Sequence, residues 1–151
     1  MKDIAPKLIG LLKSGYCTPQ LGRLGRTLHE PVTTLQYNVK KLEREGVVRS
    51  YKAVFDYKKI NEGHCTYLLI NLEPSKYGEP EEVSQKIAKN PSVESVDVIT
   101  GDYEIIVKLR CKDIDEYYAF VKQAIKQYGI SKVISLTSLK QVKTEFVNCD
   151  N

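Results

Sequence analysis

The 151-residue sequence predicts an α+β protein in two parts, three short helices followed by a β-α-β-β-α-β half. Three features carry that prediction. Val32, Leu35, Val39 and Leu42 recur at steps of three, four and three, the stripe of one helix face. Beyond residue 64, apolar strand-like runs such as YLLINL and YEIIVKL alternate with helix-period runs. The charge divides in the same place: residues 1–55 hold ten Lys/Arg and four Asp/Glu (+6), residues 56–151 thirteen and fifteen (−2), which sum to the total of +4.

The first helix is expected over residues 3–14, with Asp3 as N-cap and Ile4, Leu8, Leu11 and Leu12 on one face. Ser14-Gly15 ends it. Thr18-Pro19 reads as the next start, a cap followed by Pro at the first helical position, with Leu21, Leu24 and Leu28 as the apolar face. Gly22 and Gly25 weaken this helix by about 1 kcal/mol each relative to Ala and leave room for close packing. Residues 27–30 form a turn. The third helix follows, with Pro31 in its first turn, Gly46 past its end, and Lys40, Lys41 and Arg44 where the helix dipole favours cations. Three short helices, the last two joined by a tight turn, make a helix-turn-helix. VVRSYKAVF then reads as a short β wing or a strand leaving the module, and DYKKINEGH (56–64) as a linker. The expected boundaries are therefore 1–55, 56–64 and 65–151.

In the second half, residues 65–74 form a strand stopped by Pro74. A helix over 80–89 has Pro80 in its first turn beside Glu79, Glu81 and Glu82, and Asn90-Pro91 ends it. Strands over 93–100 and 103–111 flank the turn Gly101-Asp102. Asp113 and Glu116 open the last helix as a capping box, with Tyr117, Phe120, Val121, Ala124, Ile125 and Tyr128 inward and Gly129 at its end. Residues 130–147 are mostly extended. The order is that of the ferredoxin-like split βαβ unit. Its strands are apolar on both sides, so a second sheet is expected over the face the helices leave open, and a two-fold homodimer follows.

The exposed face of the third helix carries Thr33, Thr34, Gln36, Tyr37, Lys40 and Lys41. Hydroxyls, an amide and a phenol hydrogen-bond to base edges, and Thr33, Thr34, Gln36 and Tyr37 are the candidate base contacts. Thr34 and Tyr37 fit helix–helix packing equally well. Lys40, Lys41, Arg44, Arg49 and Lys52 are candidates for phosphates, and a basic N-terminal third suits double-stranded DNA. No apolar run approaches the ~20 residues of a membrane span, and the N-terminus lacks a signal-peptide cleavage site. Cys17, Cys65, Cys111 and Cys149 form no C-x-x-C, and neither His29 nor His64 stands at zinc spacing from them. A cytoplasmic protein without metal or cofactor, and without a visible catalytic constellation, is expected.

The two halves together resemble the Lrp/AsnC family of bacterial and archaeal transcription regulators. Val39-Lys40-Lys41-Leu42-Glu43 and Gly46-Val47-Val48-Arg49-Ser50-Tyr51 match the family's recognition helix and wing. Thr100-Gly101-Asp102-Tyr103-Glu104 with Val107-Lys108 resembles its G-D-Y-D segment. Gln20-Leu21-Gly22 departs from the family's Glu-Leu-Ala, and residues 27–31 make an apparently longer turn than its Gly-Ser. The resemblance implies a DNA-binding regulator, not an enzyme, that answers to an amino-acid effector held at a dimer interface. It is similar to archaeal members, which makes L-glutamine the expected effector, and the family commonly builds octamers. Thr100, Gly101, Asp102, Tyr103 and Glu104 are the implied binding segment; Asp102 suits a ligand ammonium, the Gly101 amides with Thr137 or Ser138 its carboxylate, and Tyr77 a lid. The same segment also serves as a plain hairpin turn with Gly at positive φ, and Tyr77 as an exposed loop aromatic. The alternative function is a haem-precursor (siroheme-type) decarboxylase, since some proteins resembling this family have that activity.

Overall fold

The structure, a computed structural model, describes residues 3–149. The chain divides after Val54 into two compact units. The first holds α1 (Ala5–Lys13), α2 (Leu21–Leu28) and α3 (Val32–Arg44). Two helices begin later than expected. Asp3 caps α1 from outside, its Oδ1 accepting the Ala5 N–H at 2.9 Å, with Ile4 at the N-cap position. The N-cap of α2 is Gln20, whose carbonyl accepts from Arg23 and Leu24, and Thr18-Pro19 stays outside the helix. A Thr cap preference of about 1 kcal/mol did not decide that start.

The α2–α3 turn depends on close approach. A Cβ on the buried Gly25 would lie 2.9 Å from the Glu30 carbonyl oxygen and 3.6 Å from Leu35 Cδ1, whereas one on Gly22 would meet open space. His29 closes α2 in the left-handed region at φ 55°, the place a glycine usually fills. Pro31 is the N-cap of α3 at φ −61°, ψ 144°, one step before the first turn where it was expected. At the far end the Val47 N–H reaches the Leu42 carbonyl and the Gly46 N–H that of Glu43, with Gly46 at φ 71°: a Schellman stop. Of the expected stripe only Leu35 is buried; Val39 is half-buried, and Val32 and Leu42 are exposed.

The expected wing strand is not formed. Residues 47–56 lie in no ladder, and the Ala53 N–H bonds instead to the Leu12 carbonyl at the end of α1 (3.2 Å). A strand needs a neighbour to accept its N–H groups, and this stretch has none in its unit.

The second unit is a four-stranded antiparallel sheet in the order β2-β3-β1-β4, from β1 (His64–Leu72), β2 (Val93–Val98), β3 (Ile105–Cys111) and β4 (Ile130–Thr137). Helices α4 (Pro80–Ile87) and α5 (Ile114–Gln127) cover one face. Leu68, Ile70, Leu72, Ile105, Val107 and Leu109 point to them and meet Val83, Ile87, Phe120 and Ala124. The cap forms with its return bond one residue early: Glu116 N–H donates to Asp113 Oδ1 at 3.0 Å, and the Glu116 carboxylate accepts from the N–H of Lys112, the residue before the cap, at 2.7 Å. Ile125, expected inward, is exposed. A short hairpin, β5 (Lys143–Thr144) and β6 (Val147–Asn148), follows β4. The stretch 56–64 lies in this unit rather than free between two: its turns close on themselves, Glu62 N–H to the Tyr57 carbonyl at 2.8 Å, and Tyr57 is buried.

The two glycines of α2 give opposite expectations. Gly22→Ala should stabilise the protein by about 0.5–1 kcal/mol through helix propensity. Gly25→Ala should cost about 1–3 kcal/mol because its Cβ meets backbone. Urea unfolding midpoints of the two variants check both signs.

Candidate functional site

Gln36, Tyr37, Lys40, Lys41 and Arg44 stand three, four, seven, eight and eleven residues beyond Thr33 on α3, opposite Leu35, so they share a face with it. All are exposed, as is Thr34 at its margin; Tyr37 keeps 66% of its surface free, so within its unit the ring is not packing. On this margin Asn38 Nδ2 donates locally to the Thr34 carbonyl at 2.8 Å. Arg49 and Lys52 are exposed on the extended stretch that follows. The Tyr51 phenol is raised above its ordinary value, first by burial and then by the neighbouring Glu43 carboxylate of α3. The face thus keeps cations and neutral polar groups free, while Glu43, the first acid of the helix, is occupied.

The Thr100–Glu104 turn sits where β2 passes into β3. Gly101 takes φ 113°, and a Cβ there would meet nothing, so conformation rather than space requires glycine. Ile99 N–H bonds to the Glu104 carbonyl at 2.9 Å, and Glu104 N–H to the Ile70 carbonyl at 3.1 Å. The Glu104 carboxylate is held by the protein itself: Oε2 accepts the Leu72 N–H at 2.9 Å and Asn71 Nδ2 at 3.3 Å. Asn71 Nδ2 also donates to the Asp102 carbonyl at 2.6 Å. Thr100, Gly101 and Asp102 are exposed; Tyr103 is half-buried, with Lys132 Nζ 5.9 Å from its ring centre.

The remaining candidates fall in two places. Tyr77 closes a short 3-10 turn (Pro74–Lys76) just beyond β1, at the same end of the sheet as the turn, and is exposed. Thr137 pairs with Thr66, their hydroxyls 3.4 Å apart, and Ser138 N–H bonds to the Cys65 carbonyl. From Thr66 to Ile70 is four residues of strand, about 13 Å. Within one chain Thr137 and Ser138 therefore stand at the opposite end of β1 from Gly101 and Asp102, and no shared site of these residues forms.

Asn71, Ser131 and Lys132 were missed by sequence reasoning. A lone amide within YLLINL was the available signal for the first. Also missed was a polar cluster on the sheet face away from the helices. Glu94 accepts from Lys108 Nζ at 2.8 Å and from Arg110 Nε. Arg110 also donates to Gln141 (2.8 Å) and Thr144 (3.2 Å), and its guanidinium stacks 3.6 Å over the Tyr57 ring. Tyr57 donates to Glu145 at 2.8 Å, and Gln141 to Cys65 Sγ at 3.4 Å. Arg110 is 5% exposed and Glu94 and Lys108 are half-buried, and each of these three meets an opposite charge. Burial pushes the Cys111 thiol up to about 11, so it stays protonated at neutral pH, and burial raises Cys65 as well. Among the described residues no three His, Cys, Asp or Glu converge to hold a metal ion.

A helix-turn-helix unit joined to a ferredoxin-like unit, with a free cationic helix face in one and a glycine turn in the other, defines a class of two-unit transcription regulators. Residues 65–147 match the Lrp/AsnC ligand-binding domain, more than half the chain, and the chain belongs to the Lrp/AsnC family. An HTH-type transcriptional regulator of Pyrococcus furiosus is 29% identical over 126 residues, covering 83% of this chain and 84% of its own. An AsnC family transcriptional regulator of Agrobacterium tumefaciens has the same fold, with TM-score 0.75 and 23% identity over 95% of this chain and 94% of its own. A Neisseria meningitidis transcriptional regulator solved with L-methionine superposes with TM-score 0.73 and 22% identity over 95% and 94% of the two chains.

The polar cluster has a measurable consequence. The Tyr57 phenol is raised far above its ordinary 10.0, first by burial and then by Glu145, so the folded state prefers it protonated. Its contribution to stability is complete below the unfolded value and is lost as pH climbs beyond it. Between about pH 10 and 12 the wild type should lose stability more steeply than Tyr57→Phe, by up to about 1.4 kcal/mol per pH unit, as read from urea midpoints.

Proposed function

We propose that this chain is a sequence-specific regulator that reads duplex DNA with α3 and changes its DNA affinity or assembly when an amino acid binds at the Thr100–Glu104 turn. The exposed face of α3 carries this reading. It aligns Thr33, Gln36, Tyr37, Lys40, Lys41 and Arg44 with no free acid among them, in the unit whose formal charge is positive. Residues 1–55 are then the DNA-binding part and 65–151 the effector-binding and oligomerising part. Thr33, Thr34, Gln36 and Tyr37 read bases; Lys40, Lys41, Arg44, Arg49 and Lys52 hold phosphates. No membrane partner enters this reading: no helix among the described residues is long and apolar enough to cross a bilayer. We place the protein in the cytoplasm with its DNA.

The effector is an α-amino acid. Asp102, exposed at the tip of the turn, suits its ammonium, and the amides about Gly101 suit its carboxylate. L-Glutamine is our candidate on the archaeal resemblance, and L-methionine, found with the Neisseria regulator, is the first competitor. Tyr77 belongs to the site as a lid from the same chain, and Thr137 and Ser138 through a second copy related by a two-fold. Support comes from the sheet face away from the helices, where Tyr67, Leu69, Ile106 and Ile134 remain only half-buried and Leu136 is exposed. Such a face is covered most simply by another sheet. The protein acts by binding and catalyses no reaction; no decarboxylase constellation supports the alternative.

Two experiments test this. Lys40→Ala should weaken binding to specific and non-specific DNA alike and reduce the salt slope by about 1; unchanged binding would remove α3 from the groove. A thermal-shift screen of the twenty amino acids should find one that stabilises the protein, by about 2.7 kcal/mol at a hundredfold excess over Kd. Asp102→Ala should abolish that shift while DNA binding without effector persists. A shift that survives takes Asp102 out of the site.

A further inference from the structure

Resting on the reading that an amino acid binds at Thr100–Glu104, we infer that Asn71 is a positioning residue which, with Glu104, latches that turn in its ligand-ready shape, so that Glu104 belongs to the latch and not to the ligand contacts. The latch originates in a defect of the sheet. Pairing of β1 with β4 runs in step up to Asn71 opposite Lys132, then shifts so that Leu72 stands opposite Ile130. Such an irregularity leaves a residue out of the ladder and re-aims its neighbours. Here Ser131 Oγ takes over the Asn71 and Leu72 carbonyls, at 3.2 and 3.0 Å. The Leu72 N–H goes to the Glu104 carboxylate at 2.9 Å.

The Asn71 amide then spans the turn. One NH₂ group serves both the Asp102 carbonyl (2.6 Å) and Glu104 Oε2 (3.3 Å). These bonds join the turn to residues about thirty positions away in sequence, so no local propensity replaces them. They also divide the two acids of the turn. Glu104 is half-buried, and its Oε2 is taken by two protein donors; the Asp102 carboxylate is exposed at the tip. A ligand ammonium would have to displace the Leu72 N–H and the Asn71 amide to use that oxygen, whereas Asp102 is presented with its backbone already fixed. A preorganised turn spares the ligand the cost of ordering it.

The test uses the whole 151-residue chain and five variants. Hydrogen exchange without ligand reads the latch directly. Asn71→Ala and Glu104→Ala should speed exchange of the Ile99 and Glu104 amides by about tenfold or more, with the α5 amides unchanged. Calorimetry with the amino acid selected by the thermal-shift screen should show both variants about tenfold weaker. Glu104→Gln separates the roles, since its amide oxygen accepts the same two bonds without the charge. It should keep exchange and affinity within about threefold of wild type, and Asn71→Asp, which sets a second carboxylate beside the first, should be the weakest binder. Unchanged exchange in both alanine variants overturns the latch. A loss in Glu104→Gln equal to that in Glu104→Ala overturns its second half, because the charge itself would then meet the ligand. If the wild type binds no amino acid, or Asp102→Ala binds as well as wild type, the site reading falls, and exchange alone decides whether the latch holds the turn.

Discussion

β1, like β3, has hydrogen-bonded neighbours on both edges and carries core residues, and it is the strand to which β4 is joined. It pairs with β3 from His64 to Ile70 and with β4 from Thr66 to Leu72. Leu68, Ile70 and Leu72 are buried beneath α4 and α5, and Thr66, equally buried, is satisfied by Thr137 and His64. Burying its peptide groups is tolerable only because both ladders take them up. Where the β4 ladder breaks, at Asn71 and Leu72, the freed groups go to Ser131 and Glu104, and the Thr100–Glu104 turn is held by that repair. Core, register and candidate site therefore share one strand.

The two faces of the sheet solve different problems. The helix side is closed by aliphatic packing, which needs no particular partner. The other side places Lys108 and Arg110 on a central strand, where each charge must meet an opposite one or lose its place in the fold. Glu94 answers both, while Tyr57, Gln141 and Thr144 complete the Arg110 shell from segments far apart in the chain. The consequence is order at the surface. The β5–β6 hairpin is held down by Thr144 and Glu145, although Glu145 and Phe146 both sit at positive φ without being glycine. The part of this face beyond the cluster stays apolar and partly open, with Tyr67, Leu69, Ile106 and Ile134 half-buried and Leu136 exposed.

The helical unit has a thin core by comparison. Leu35 and Gly25 are buried in it, and geometry is set at the helix ends: His29 in the left-handed region, Pro31 as cap, Gly46 in the Schellman stop. Defined ends fix where α3 begins and stops, and so which side chains lie on its free face. Close contact of Gly25 with the Glu30 carbonyl then holds α3 against α2.

Elements whose signals are local were readable in the sequence alone. The period of α3, the Asp113–Glu116 cap, the alternation of Ile105, Val107 and Leu109, and the glycines at 46, 101 and 129 each act within a few residues, and each is found in the structure. The exposed face of α3 was readable for the same reason, since helical spacing determines it. What depends on distant partners was decided only by the tertiary structure. The wing stretch has strand composition but no strand to pair with, Thr18 is a good cap at a place where no helix starts, and the DYKKINEGH stretch looks like a linker until Arg110 stacks on Tyr57. Thr137 and Ser138 were grouped with Asp102 by family resemblance, and within one chain the β1–β4 register places them at the other end of the sheet. Asn71 shows the same division: its sequence position marks a polar residue in an apolar strand, and only the broken register turns it toward Asp102 and Glu104. Hydrogen bonds between residues thirty or more positions apart leave no periodic trace in a sequence, because either partner alone is an ordinary polar residue.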